Sequence, residues 1–203
     1  ITQFFSAWGV VYGSILMLCT ILYMLTILLM EKKDKEIYKG LSDTDALTGL
    51  LNRRAFQAAV DETLLKRISG IFIFIDVDNF KNYNDKYGHA NGDLCLKHFA
   101  AAMKKFFPKD SILGRYGGDE FVVYIKNAAS DAAHRYMDEF QREISHLMMS
   151  GGEHVTVSAS AGGVAFAGEG EDFVSLCRSA DNMLYDVKRN GKGTFKMKGA
   201  KNM

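Results

Sequence analysis

This chain should fold as an α/β (α+β) domain, a central mixed β-sheet flanked by helices, with one transmembrane helix ahead of it. Three features point there. Residues 1–30 carry no Asp, Glu, Lys, Arg or His. The run Gly70-Ile-Phe-Ile-Phe-Ile-Asp76 sets five consecutive apolar residues before an acid, the mark of a strand buried on both faces. Helix-like and strand-like runs then alternate to the end of the chain without an internal repeat. With 203 residues and a net charge of +1, there is room for one full domain, and no basic field favours nucleic acid. The single proline, Pro108, excludes Pro-rich recognition segments.

Phe4 to Met30 is uncharged and, as a helix, rises ~40 Å against a hydrocarbon core of ~30 Å. Residues 1–30 are therefore read as a membrane-spanning segment, with Trp8 and Tyr12 toward one interface. A signal peptide would need a basic start, a shorter apolar run and a cleavage site. Lys32, Lys33, Lys35 and Lys39 follow the span and place the remainder on the cytoplasmic side. The chain begins with Ile1 rather than Met, so an upstream sensor region is expected to be missing. Cys19, Cys95 and Cys177 show no metal spacing and are expected to be buried thiols in a reducing compartment.

Residues 31–43 are a charged, helix-friendly connector, and 44–203 form the folded domain. Asp45 ahead of Leu47-Thr48-Gly49-Leu50 marks a helix start, and a helix follows over Ala55 to Arg67 with Phe56, Val60 and Leu64 on one face. After the strand ending at Asp76, residues 79–92 read as turn-rich. Leu94 to Phe107 is helical. Ile112–Tyr116 and Phe121–Ile125 are strands joined by Gly117-Gly118, a tight hairpin. Asp131 to Met149 reads as a helix, His154 to Phe166 as a strand and Asp172 to Arg189 as a helix closed by Asn190-Gly191. Lys192 to Met197 is an edge strand.

Two acidic clusters fall at strand ends: Asp76-Val77-Asp78, and Asp119-Glu120 in the hairpin turn. An Asp at a strand end often only caps a turn, and Gly-Gly-Asp often only turns. If the hairpin lies beside the buried strand, however, the clusters meet, and their mutual repulsion calls for a cation. Carboxylates without His or Cys make a hard oxygen site for Mg²⁺ or Mn²⁺, ions that bridge phosphate oxygens. Lys81 can bring an ammonium to phosphate. Asn84, His89 and Asp93 supply donors and acceptors, and a carboxylate can accept from both N1–H and the exocyclic amine of guanine. Lys188, Arg189 and Lys192 suit the C-terminus of the last helix and could equally reach phosphates.

Together these residues resemble the diguanylate cyclase family, the bacterial GGDEF domains. The carriers are Arg115-Tyr116-Gly117-Gly118-Asp119-Glu120-Phe121, the opening Asp45 to Arg54, Phe74 to Lys81, Asn84 to Asp93, and Ala180 to Lys188. The likeness runs over roughly residues 42–197. It implies a palm related to class III nucleotidyl cyclases and polymerases. It also implies condensation of two GTP to cyclic di-GMP with release of two pyrophosphates, in a homodimer at the bacterial inner membrane. By the family pattern Asp76, the Val77 carbonyl and Asp119 hold the metal. Asp119 accepts the proton with Glu120 assisting, and Lys81 stabilises phosphate charge. Asn84, His89 and Asp93 hold guanine, Gly117 and Gly118 admit the phosphates, and Lys188 and Lys192 reach their ends. The family's inhibitory Arg-x-x-Asp is replaced by Pro108-Lys109-Asp110-Ser111. Two other readings are a silent GGDEF module that senses GTP or docks a protein, and a glycosyltransferase using Asp76-x-Asp78.

Overall fold

The computed structural model describes residues 2–39, 43–148 and 154–198. It divides into two compact units, before and after the Ser42–Asp43 bond. The first is the helix α1 (Thr2–Lys39). Its Tyr12–Met30 stretch has every side chain exposed and is long and apolar enough to cross a membrane. Connector residues 40–42 lie outside the described residues.

The second unit is a six-stranded sheet with helices on both faces. Its elements are β1 (Leu51–Asn52), α2 (Arg53–Leu65), β2 (Gly70–Val77), α3 (Phe80–Tyr87), α4 (His89–Phe106), β3 (Ile112–Gly117) and β4 (Glu120–Lys126). Then follow α5 (Ser130–Ile144), β5 (Leu147–Met148), β6 (His154–Val155), β7 (Ala159–Phe166), α6 (Phe173–Arg189) and β8 (Phe195–Lys198). The sheet order is β1-β3-β4-β2-β7-β8, with β5 and β6 a separate ribbon. The sheet is mixed: β2 is antiparallel to β4 and β7, whereas β1 runs parallel to β3 and β8 to β7.

The apolar run of β2 explains the layering. Alternate side chains leave opposite faces of a strand. Ile71, Ile73, Ile75 and Val77 pack with Leu96, Phe99 and Phe140 in one core. Phe72 and Phe74 pack with Phe56, Phe173, Leu176 and Leu184 in the other. Phe72 and Phe173 meet edge-on with centroids 5.8 Å apart, a favoured aromatic geometry. Asp76 shares the parity of Phe72 and Phe74, so it leaves the sheet toward α6.

Several expected elements are corrected. Asp45–Gly49 is a turn rather than a helix start: Gly49 N–H bonds the Asp45 carbonyl at 2.8 Å, with Gly49 at φ +63°. The helix begins at Arg53, where the Asn52 side chain accepts from Ala55 N–H at 3.0 Å, a standard N-cap. The turn-rich stretch 79–92 is instead all of α3 and the start of α4, separated by Gly88 at φ +81°. The apolar period of α3 is short, Phe80, Tyr83 and Tyr87, with Phe80 and Tyr83 only partly buried against the core, and it is interrupted by polar residues that read as turn formers. The helix expected to reach Met149 stops at Ile144, and Leu147–Met148 pairs with His154–Val155; residues 149–153 lie outside the described residues. The strand expected over 154–166 breaks at 156–158, where the chain leaves the ribbon for the main sheet.

All three cysteines are free. Cys95 is buried, as expected, and burial pushes its thiol up to about 12, whereas Cys177 is half-buried and Cys19 is exposed on α1.

Candidate active site

The antiparallel register sets Asp76 opposite Glu120, and directly opposed residues share a face. The intervening turn returns Asp119 to the same strand end, where Val77 N–H donates to the Asp119 carbonyl at 3.2 Å. The two acidic clusters thus meet, at the ends of the two central strands rather than on a lateral edge. Gly118 makes the turn at φ +40°, a conformation that a Cβ disfavours.

Lys188, from the last turn of α6, places Nζ 2.8 Å from Asp76 Oδ2, with the Asp76 side chain 12% exposed. Burial holds the Asp76 carboxyl above its usual range; Lys188 opposes the shift, and Asp119 and Asp78 reinforce it. Glu120 is raised by burial and then by Asp76 and Asp119. The group therefore carries mutual repulsion that one ammonium only partly offsets.

Arg115 locks the turn. Its Nε and Nη2 donate to the Gly118 carbonyl at 3.0 and 2.7 Å, and Nη1 bonds Asp45 Oδ1 at 3.1 Å. Burial raises the Asp45 carboxyl, but the Thr48 hydroxyl and N–H together with Arg115 outweigh it and hold it below the ordinary range. Tyr116 packs between Phe74 and the Arg53 guanidinium, which lies 4.3 Å from its ring centroid.

The helical pair α3–α4 brings Asn84 against Gly92. A Cβ on Gly92 would lie 1.8 Å from Asn84 Oδ1, an oxygen that is buried and has no hydrogen-bond partner among the described residues. Lys81, His89 and Asp93 are exposed on these helices, and among the described residues no hydrogen bond or ion pair links them to the carboxylates. Lys192 does not approach the carboxylates through any described bond; its Nζ donates to Asn79 Oδ1 at 2.8 Å.

Asp78 departs from the cluster read in the sequence. Its oxygens accept from Ser158 Oγ, Ser160 Oγ and Gly193 N–H at 2.7, 2.7 and 3.0 Å. That commitment removes the Asp76-x-Asp78 pair on which a glycosyltransferase reading depends.

Among the described residues no three His, Cys, Asp or Glu side chains form a ready metal cage. Mg²⁺ does not require one, because it retains several waters and takes only one or two carboxylates. Hard oxygen donors with uncompensated repulsion fit such an ion.

The fold is thus a mixed sheet in which a Gly-Gly-Asp-Glu hairpin lies beside the central strand that carries Asp76. The profile described as "Diguanylate cyclase, GGDEF domain" matches residues 42–194. The diguanylate cyclase DgcM of Escherichia coli K12 is 31% identical over 90% of this chain and 44% of its own length. The cyclic di-GMP phosphodiesterase PdeR of the same organism is 32% identical over 81% of this chain and 25% of its own. The crystal structure of the GGDEF domain of DgcB from Caulobacter crescentus, in complex with c-di-GMP, superposes with a TM-score of 0.70 at 28% identity, covering 77% of this chain and 95% of that one. The chain belongs to the diguanylate cyclase GGDEF-domain family. It spans between a quarter and half of the length of these curated relatives.

Proposed function

We propose that this chain condenses two GTP into cyclic di-GMP with release of two pyrophosphates, using Mg²⁺ or Mn²⁺. Residues 1–30 anchor it in the bacterial inner membrane, 31–43 connect, and 44–203 form the cytoplasmic catalytic domain under control of an upstream signal. The meeting of Asp76, Asp119 and Glu120 with Lys188 at one strand end carries this reading. Asp76, the Val77 carbonyl and Asp119 would hold the metal, which would supply Lewis acidity at the α-phosphate and to the 3′-hydroxyl. Asp119, assisted by Glu120, accepts the 3′-proton. Lys188 exchanges its contact with Asp76 for phosphate oxygen, and Lys81 and Lys192 add positive charge along the triphosphate. Gly117 and Gly118 leave room for backbone to approach the phosphates. Each domain binds one GTP, so the two-fold product requires two domains face to face, and α1 with the connector is the natural pairing element.

Asp93 accepts from guanine N1–H and the exocyclic amine, while Asn84 and His89 orient the base. Adenine presents a lone pair at N1. In a dry pocket such a mismatch rejects an analogue by ~10⁴-fold. Asp93 is exposed on α4, so water relieves part of it and discrimination should fall well below that figure. Product analysis from equal GTP and ATP tests this: cyclic di-GMP should dominate, and Asp93→Ser should admit mixed products. Abundant adenine-containing product from the unmodified chain would refute the guanine assignment.

Product inhibition through Pro108-Lys109-Asp110-Ser111 is not expected, since neither end carries the required charge and Ser111 turns a buried hydroxyl inward. Progress curves with added micromolar cyclic di-GMP should superpose; strong noncompetitive inhibition would contradict this.

A further inference from the structure

We infer that Asp78 is a positioning residue, which fixes the loop after α6 and through it holds Lys192 at the nucleotide site. Asp78 is 8% exposed. It has no cation partner among the described ion pairs; three donors hold it instead, the Ser158 and Ser160 hydroxyls and Gly193 N–H. Its own N–H bonds the Ser158 carbonyl at 2.9 Å. Gly193 N–H also reaches Ser160 Oγ at 3.1 Å. The carboxylate therefore ties three chain segments at one point.

The tied loop is conformationally costly. Gly191, Lys192 and Gly193 stand at φ +123°, +59° and +63°. A run of left-handed residues that includes a lysine persists only where its surroundings over-determine it. Asp78 supplies that determination from one side. The other side is the adjacent residue: Asn79, itself at φ +56°, accepts from Lys192 Nζ at 2.8 Å and directly precedes α3. Asp78 and Asn79 thus clasp the loop by its backbone and by its cation. The same two residues join the end of β2, which bears Asp76, to the start of α3, which bears Lys81 and Asn84. The clasp sets the spacing between the phosphate side and the base side of the site.

This inference rests on reading the site as a GTP site, so its test has two readouts on the full chain. The first needs no nucleotide. Asp78→Ala should accelerate amide exchange over residues 190–194 while α2 stays protected, and unchanged exchange there would overturn the clasp. Asp78→Asn guards against a folding failure: its amide oxygen can accept from Gly193 N–H while its NH₂ donates to a serine hydroxyl, so it should restore much of the protection. The second readout is affinity for a fluorescent GTP analogue with Mg²⁺. Asp78→Ala should weaken binding about tenfold, the scale for lost hydrogen bonds to a charged group. Adding Lys192→Met should then weaken it little further, because the ammonium is already released. Multiplying losses would show that Asp78 does not act through Lys192. Absence of GTP binding by the unmodified chain would sink the functional reading, while the exchange measurement still decides the clasp.

Discussion

Replacing Asp119 with alanine should abolish cyclic di-GMP formation without unfolding the domain. The side chain is only partly buried, and the contact that fixes the turn uses its carbonyl, which accepts from Val77 N–H and survives in alanine. Arg115 still grips Gly118 through its carbonyl. Stability should therefore change by less than about 1 kcal/mol, as for substitutions outside the core. Catalysis loses a metal ligand and the proton acceptor together. One electrostatic contact is worth ~10²–10³-fold and a positioned base ~10²–10⁴-fold, so turnover should fall by more than ~10²-fold. Mass analysis of products beside a thermal unfolding curve checks both halves. Wild-type-like turnover would remove Asp119 from the mechanism.

Gly162→Ala should be the most damaging single methyl in the domain. Gly162 lies on β7 opposite Phe74, beneath α6. A Cβ there would stand 2.2 Å from the Ala180 carbonyl oxygen and 2.2 Å from Leu184 N, with Met183 C at 2.8 Å. All three are backbone, so no rotamer change relieves the overlap and α6 must lift from the sheet. Overpacking of this kind costs ~1–3 kcal/mol and occasionally more; contact with rigid backbone puts it at the upper end. At ~2–4 °C per kcal/mol for a domain of this size, the midpoint should drop by roughly 10 °C. Activity should fall too, because α6 carries Lys188 to Asp76. Thermal unfolding measures the first effect; an unchanged midpoint would mean that α6 is not held as closely as described.

Much of this arrangement was legible in residue order because the signals were local. Five apolar residues before Asp76 identify a strand covered on both faces, and Gly117-Gly118 identifies the turn that returns Asp119 to it. What escaped was set by distant partners or lacked a pattern. The α3 helix has only a short, partly buried apolar row, Phe80, Tyr83 and Tyr87, among polar turn-forming residues, and β1 is a two-residue strand defined by its partner β3. Asp78 looked like Asp76 two positions on, but β2 ends at Val77, where strand alternation ceases to apply. Its partners Ser158, Ser160 and Gly193 come from remote segments. Asp45 and Arg115 were visible as motif residues, yet their pairing across the fold was not.

The central claim is tested most directly by adding GTP and Mg²⁺ to the full chain in lipid vesicles and counting both products. Cyclic di-GMP should accumulate with two pyrophosphates per molecule, and a chelator should stop it. GTP left intact, or converted to GDP and phosphate, would contradict the account.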